Sequence, residues 1–110
     1  MYYTKMPEFV KVARLAEIHE RRGMLVTVDG EEIALFKCDG EVHAISNVCA
    51  HQHFSMLHKG EVDGCIVTCP MHGWKYDMRT GKGTTGDGRV ARFRVRTVGE
   101  AVMIEIPDPP

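Results

Sequence analysis

The stretch "NVCAHQHFSMLHKGEVDGCIVTCPMHGW", residues 47–74, holds three of the chain's four cysteines and four of its six histidines. Two pairs stand out within it, Cys49-Ala50-His51 and Cys69-Pro70-Met71-His72. Each pair offers one thiolate sulfur and one imidazole nitrogen, which suit zinc and iron alike, and four such ligands complete a site. Seventeen residues separate His51 from Cys69, enough for a loop, a strand and a return. Pro70 and Gly73 fit tight loops whose N–H groups can turn toward a buried sulfur. A mononuclear zinc ion could use all four ligands. The mixture within each loop points to something larger. Zinc knuckles commonly draw both ligands of one turn from cysteine. A dinuclear iron–sulfur cluster can instead place both cysteines on one iron and both histidines on the other.

Outward from this stretch the pattern is one of short strands. Phe9-Val10-Lys11-Val12, Met24 to Val28, Glu32 to Cys38 and Glu41 to Ile45 read as β runs before it. Asp29-Gly30 and Asp39-Gly40 are two-residue hairpin signals between them. Cys65 to Thr68, Lys75 to Asp77, Val90 to Thr97 and Ala101 to Ile106 follow, with Gly99-Glu100 at the last turn. Only Arg14 to Arg22 looks helical, with Leu15 and Ile18 on one face, a Glu17–Arg21 pair at i,i+4, and Gly23 to end it. Many short strands with frequent turns mean an all-β sandwich or barrel. The Cys/His segment then falls between hairpins as an insertion.

With 110 residues the chain has room for a single modest core. Its 44% hydrophobic and 26% charged composition is that of an ordinary globular protein. A net charge of -1 gives no reason to expect nucleic acid or an anionic membrane as partner. No apolar run approaches the roughly 20 residues that span a bilayer. The N-terminal "MYYTKMPEFVKVARLAE" lacks the apolar core of a signal peptide. The expected location is therefore the cytoplasm, where four cysteines read as metal ligands or free thiols ahead of disulfides.

The pattern Cys-x-His-x17-Cys-x-x-His continues as His72-Gly73-Trp74-Lys75-Tyr76-Asp77-Met78-Arg79-Thr80-Gly81-Lys82. In this it resembles the Rieske ferredoxins of bacterial aromatic-ring dioxygenase systems. It is similar also to the Rieske domains of the oxygenases and to the small subunit of NADH-dependent nitrite reductase. "CDGEVHAISN" ahead of the first loop and "FRVRTVGEAVMIEI" at the end fit the same family, so the resemblance runs from about Phe9 to Ile106. It implies an all-β Rieske fold, an antiparallel sandwich or barrel base with an inserted cluster-binding subdomain at about 46–78, within one domain spanning 1–110. It implies one [2Fe–2S] cluster, with Cys49 and Cys69 on the inner ferric iron. His51 and His72 would hold the outer, redox-active iron and reach the surface as the electron's exit.

Such a protein has no catalytic residues. Its partners would be a flavoprotein reductase and a terminal oxygenase, or the large subunit of a nitrite reductase, with no nucleic acid and no membrane. The chain has no Gly-x-Gly-x-x-Gly fingerprint with which to use NADH itself. High-potential relatives carry a second cysteine in each ligand loop, where this chain has Phe54 and Met71, and a serine donor where it has Trp74. Losing those features implies a potential at the low end of the Rieske range, about -150 to +300 mV. Relatives also cover the cluster with a proline-containing loop, whereas "GTTGDGRVAR", residues 83–92, has no proline.

The remaining candidates have plainer readings. Cys38 shares a strand face with Ala34 and Phe36, and Cys65 a strand phase with Val67, so both are expected in the core as small hydrophobes. His53 and His58 read as loop histidines, and His19 and His43 as surface and strand residues. Arg89, Arg92, Arg94 and Arg96 form a basic run whose last three members share one strand face. A solvated face is the expectation there, ahead of a docking face for an acidic partner. Met56, Leu57 and Met71 would pack the ligand loops or rim the docking site.

Overall fold

The computed structural model describes residues 8–50, 55–71, 73–84 and 88–106. Its centre is a hairpin pair built from the most apolar run in the chain. Strand β3 (Glu31–Cys38) pairs with β2 (Met24–Val28) on one side and β4 (Glu41–Ser46) on the other. The two connections are Asp29-Gly30 and Asp39-Gly40, and all four residues have positive φ, 51° and 81° then 52° and 77°. A type I′ turn requires that conformation at both central positions, and Asp-Gly supplies it at low cost. Here the local sequence fixes the register.

Alternation along β3 then sends side chains to two separate cores. Ile33 and Leu35 lie on one face, and Ala34, Phe36 and Cys38 on the other, all buried. Successive strand residues point to opposite faces, so a run apolar at every position needs cover on both. β4 follows suit, with Val42 and Ala44 on the first face and Ile45 on the second.

The first face is covered by a three-stranded antiparallel sheet in the order β1-β10-β9, labelled in chain order with β1 at Glu8–Arg14, β9 at Val95–Val98 and β10 at Ala101–Ile106. Val102, Ile104 and Ala13 deliver its core residues. The register slips between Lys11 and Ala13, a bulge that bends β1.

The second face is covered by the unit that includes the Cys/His loops. After β4 the chain makes a 3₁₀ turn at Leu57–Lys59. It then forms β5 (Glu61–Asp63), β6 (Ile66–Thr68) and β7 (Lys75–Asp77), an antiparallel sheet in that order. Leu57, Val67, Tyr76, Met78 and Val90 from this unit meet Phe36 and Ile45. β8 (Arg92–Phe93) returns to the central sheet beside β4. The result is three sheets with β3–β4 as the shared wall, an antiparallel all-β architecture as expected.

Three details differ from the sequence reading. The helix expected over Arg14–Arg22 is a single 3₁₀ turn at Leu15–Glu17. Arg14 remains in β1, and the Leu15 N–H donates to the Glu100 carbonyl at 2.8 Å. The Glu17 carboxylate accepts the Arg14 N–H at 2.7 Å. Pairing with the β9–β10 turn thus overrides a weak helical preference. The single strand expected over Val90–Thr97 is two short ones on different sheets, because the chain passes from the central sheet to the outer one at Arg94. The strand expected from Cys65 begins at Ile66, since Gly64 (φ 61°) and Cys65 form the β5–β6 turn.

Candidate iron–sulfur site

The first Cys/His loop leaves β4 through Asn47, the fully buried polar residue on which both of its ends converge. The Asn47 N–H donates to the Glu32 carbonyl at 2.9 Å, while its own carbonyl accepts from Met56 and Leu57, both at 3.1 Å. Its side-chain Oδ1 accepts the His58 N–H at 2.6 Å, and its Nδ2 donates to Ser55 Oγ at 2.8 Å. Nδ2 also lies 2.9 Å from His58 Nδ1. A bridge between Val48 and Ser55 narrows the loop's neck. A buried amide with its donors and acceptors engaged is costly to disturb. Cys49 sits just beyond this knot, buried at 0% exposure.

The second loop is an extension of the β6–β7 hairpin. The Cys69 N–H donates to the Trp74 carbonyl at 2.7 Å, and the Gly73 N–H to the Cys69 carbonyl at 3.0 Å. Gly73 takes φ 75°, the left-handed conformation that closes such a turn. Cys69 is buried at 1%, whereas Met71 is 42% exposed. The loop therefore carries its sulfur inward and its tip outward.

Tyr76, from β7, joins the two loops. Its hydroxyl oxygen lies 3.2 Å from Cys49 Sγ and accepts the Ala50 N–H at 3.2 Å. With a thiolate at Cys49, the phenolic proton is a donor to that sulfur. Burial pushes the Tyr76 pKa strongly upward, and the hydrogen bond to Cys49 and the charges on Cys49 and Cys69 add to it. The phenol stays protonated and stays a donor. Beyond β7, Arg79 forks onto Asp77, Nε to Oδ1 at 3.0 Å and Nη2 to Oδ2 at 2.9 Å. This pair, the Arg79 side-chain bonds foremost, holds the Asp77 carboxyl below its usual range.

His51 and His72, the expected nitrogen ligands, lie outside the described residues, as do His53 and Phe54. The structure brings Cys49 and Cys69 into one core cluster with Tyr76. The other two cysteines correct the reading from sequence. Cys38 and Cys65 are buried as expected, but they form a disulfide with each other, not two separate thiols. They sit at the Asp39-Gly40 turn and the Gly64-Cys65 turn, 27 residues apart in sequence, and meet because the cluster-side sheet packs on β3. Cys38, Asp39 and Cys65 also gather three possible ligand atoms within 4.8 Å. The sulfur–sulfur bond uses up both thiols of that group.

Elsewhere the basic run is turned to local use. Arg94 Nε approaches Glu105 Oε2 at 3.8 Å, and the Arg96 guanidinium lies 4.3 Å from the centre of the Phe9 ring. Arg92, Arg94 and Arg96 are exposed, the solvated face expected. The loop without proline is tied at its ends, by Gly83 N–H to the Gly88 carbonyl at 2.7 Å and Thr84 N–H to the Lys75 carbonyl at 2.8 Å.

The Asn47 knot has a measurable pH signature. His58 Nδ1 lies 2.9 Å from Asn47 Nδ2 and 3.1 Å from its Oδ1; with the ring neutral, the shorter approach pairs Nδ1 as acceptor with the second N–H of Nδ2. Burial, followed by the charge on Lys59, holds the His58 pKa below 6.5. A folded-state pKa below the unfolded value gives stability that is present above pH 6.5 and lost as pH falls through the folded value. The wild type should therefore lose more of its urea midpoint between pH 7.5 and pH 5 than His58→Asn, whose amide oxygen can replace Nδ1 without titrating. Parallel losses in the two proteins would refute the assigned role.

The Rieske [2Fe-2S] domain family matches residues 8–98. The chain is 35% identical over 101 residues to the ferredoxin component of the naphthalene 1,2-dioxygenase system of Pseudomonas putida, covering 90% of this chain and 96% of that one. Among solved structures, the Sphingomonas yanoikuyae B1 ferredoxin superposes with a TM-score of 0.83 at 26% identity, over 91% of this chain and 100% of the other. A structure assigned to an NADH-dependent nitrite reductase small subunit of Mycobacterium tuberculosis superposes with a TM-score of 0.86, over 96% and 100% of the two chains. At 19% identity that likeness is one of fold. The family match begins with β1 and ends with β9, running through all three sheets, and it makes this chain a member of the Rieske [2Fe-2S] domain family, an electron-transfer component carrying one such cluster.

Proposed function

We propose that Cys49, His51, Cys69 and His72 hold the cluster, and that the chain carries single electrons from a flavoprotein reductase to a terminal ring-hydroxylating oxygenase in the cytoplasm. The observation that carries this reading is the pair of buried cysteines outside the disulfide, one on each loop, with the Tyr76 hydroxyl against one of them. Two thiolates in an apolar core are tolerable only beside compensating positive charge. Two bound irons would supply it. The donor set fits the group: two soft sulfurs inside and an imidazole following each at a spacing of two or three residues.

When bound, the cluster supplies a one-electron ferric/ferrous couple. The chain's own residues do the rest. Asn47 fixes the first loop and the Cys69–Trp74 backbone pair fixes the second, so the sulfurs need little rearrangement as charge changes. Tyr76, buried beside Cys49, directs its O–H toward that sulfur. Met71 and Gly73, on either side of His72 in sequence, are exposed, so this loop tip is open to a partner. The dioxygenase-system ferredoxins among the relatives support an oxygenase as electron acceptor. The nitrite reductase likeness keeps a second reading, a subunit held by that enzyme's large chain, and it rests on fold alone.

The purified chain should contain about two irons and two acid-labile sulfides. It should be reduced by NADH through a flavoprotein reductase, then reoxidised on rapid mixing with a terminal oxygenase. Reoxidation by a nitrite reductase large subunit and not by the oxygenase would favour the second reading. One tightly held zinc and no visible absorption would sink both.

Tyr76→Phe should keep the cluster and lower its potential. If the hydrogen bond favours the more electron-rich reduced state by about 1 kcal/mol, the shift is roughly 40 mV downward, since 59 mV is tenfold for one electron. An unchanged or raised potential would remove Tyr76 from the tuning of the couple.

A further inference from the structure

The Cys38–Cys65 disulfide lies outside the four residues proposed to hold the cluster. It joins the Asp39-Gly40 end of the central hairpin to the β5–β6 turn, four residues before Cys69. Both cysteines are nearly buried, at 4% and 8% exposure. A surface groove lined in part by Cys38 and Asp39 runs beside the bond. Its rim carries the carboxylates of Glu20, Asp39, Glu61 and Asp63 against the cations of Arg21 and Lys37. Asp39 Oδ2 lies 3.5 Å from Cys65 Sγ.

We propose that this disulfide is a thiol-exchange site whose acidic groove turns away anionic thiols of the glutathione class and admits cationic ones. The chemistry is thiol–disulfide exchange. A thiolate entering from the groove forms a new bond to Cys38 Sγ, the Cys38–Cys65 bond breaks, and Cys65 leaves with the electron pair. Cys65 then takes a proton from water and can donate its S–H to Asp39. A second thiolate of the same class attacks the mixed disulfide, releasing Cys38 as a thiol and the reductant as its own disulfide. Two electrons and two protons pass to the protein.

Asp39 opposes this sequence twice. Its charge repels an incoming thiolate, and it disfavours the negative charge that develops on Cys65 as that sulfur leaves. The surplus of carboxylates adds a field that grows with the negative charge of the attacker. A compartment rich in glutathione would then leave the bond closed. Closure matters to the electron carrier because β6 runs from this anchor directly to Cys69.

The test uses the holoprotein, with opening followed by thiol alkylation and mass spectrometry. Cysteamine and glutathione are compared at equal thiolate concentration, with rates corrected for thiol basicity. At about 0.01 M salt, where charges act over about 30 Å, cysteamine should be faster on the order of tenfold. Near 1 M salt, where the range is about 3 Å, the difference should collapse. Asp39→Asn should narrow it at low salt, and asparagine tolerates the positive φ of this position. Equal corrected rates at low salt, or a preference that salt leaves unchanged, would overturn the proposal. So would aerobically purified holoprotein in which Cys38 and Cys65 are both alkylated without reduction.

Discussion

The structure depends on one wall, the β3–β4 pair, having no face left for solvent. A strand apolar at every position from Ile33 to Phe36 must be covered on both sides, and neither side alone could be left wet without losing several buried side chains. Covering one face demands the β1-β10-β9 sheet, and covering the other demands the unit with the Cys/His loops. The cluster-side sheet is thus not an appendage on a finished barrel. Phe36 and Ile45 lie in the same core as Cys49, Cys69 and Tyr76. Burial of Cys49 and Cys69 and burial of the central sheet are one event.

That arrangement explains how short loops can hold a redox centre steadily. Electron transfer favours ligands that move little as the charge changes. Each sulfur here is held near a backbone structure that is itself locked, the Asn47 knot for Cys49 and the continued β6–β7 ladder for Cys69. Tyr76 then crosses from the second loop's strand to the first loop's cysteine. The disulfide adds a covalent strut between the same two layers. Rigid support sits beneath the sulfurs, and among the described loop residues Pro70, Met71 and Gly73 are exposed.

Much of this was legible in the residues. The two Asp-Gly turns dictated a tight meander, and Cys-x-His with Cys-x-x-His announced the cluster, because both signals are local. What the sequence hid was non-local. Nothing in Arg14–Arg22 says that Leu15 will pair with Glu100, so the helical pattern misled. Val90–Thr97 alternates as one strand would, yet the change of sheet at Arg94 depends on where β4 and β10 end up. The Cys38–Cys65 bond was invisible for the same reason, since a cysteine at the end of β3 and one in the distant β5–β6 turn meet only once the layers stack. Asn47 could have been suspected, as a polar residue between the apolar run of β4 and a ligand cysteine. Its position at the centre of the loop required the coordinates.

Ligation of the cluster by two cysteines inside and two histidines outside is open to direct test by pulsed EPR of the reduced protein. With histidine nitrogens labelled with ¹⁵N, two directly coordinated imidazole nitrogens should couple to the electron spin. Spectra with no strongly coupled histidine nitrogen, or with a pair that persists after His51 and His72 are both replaced, would contradict it.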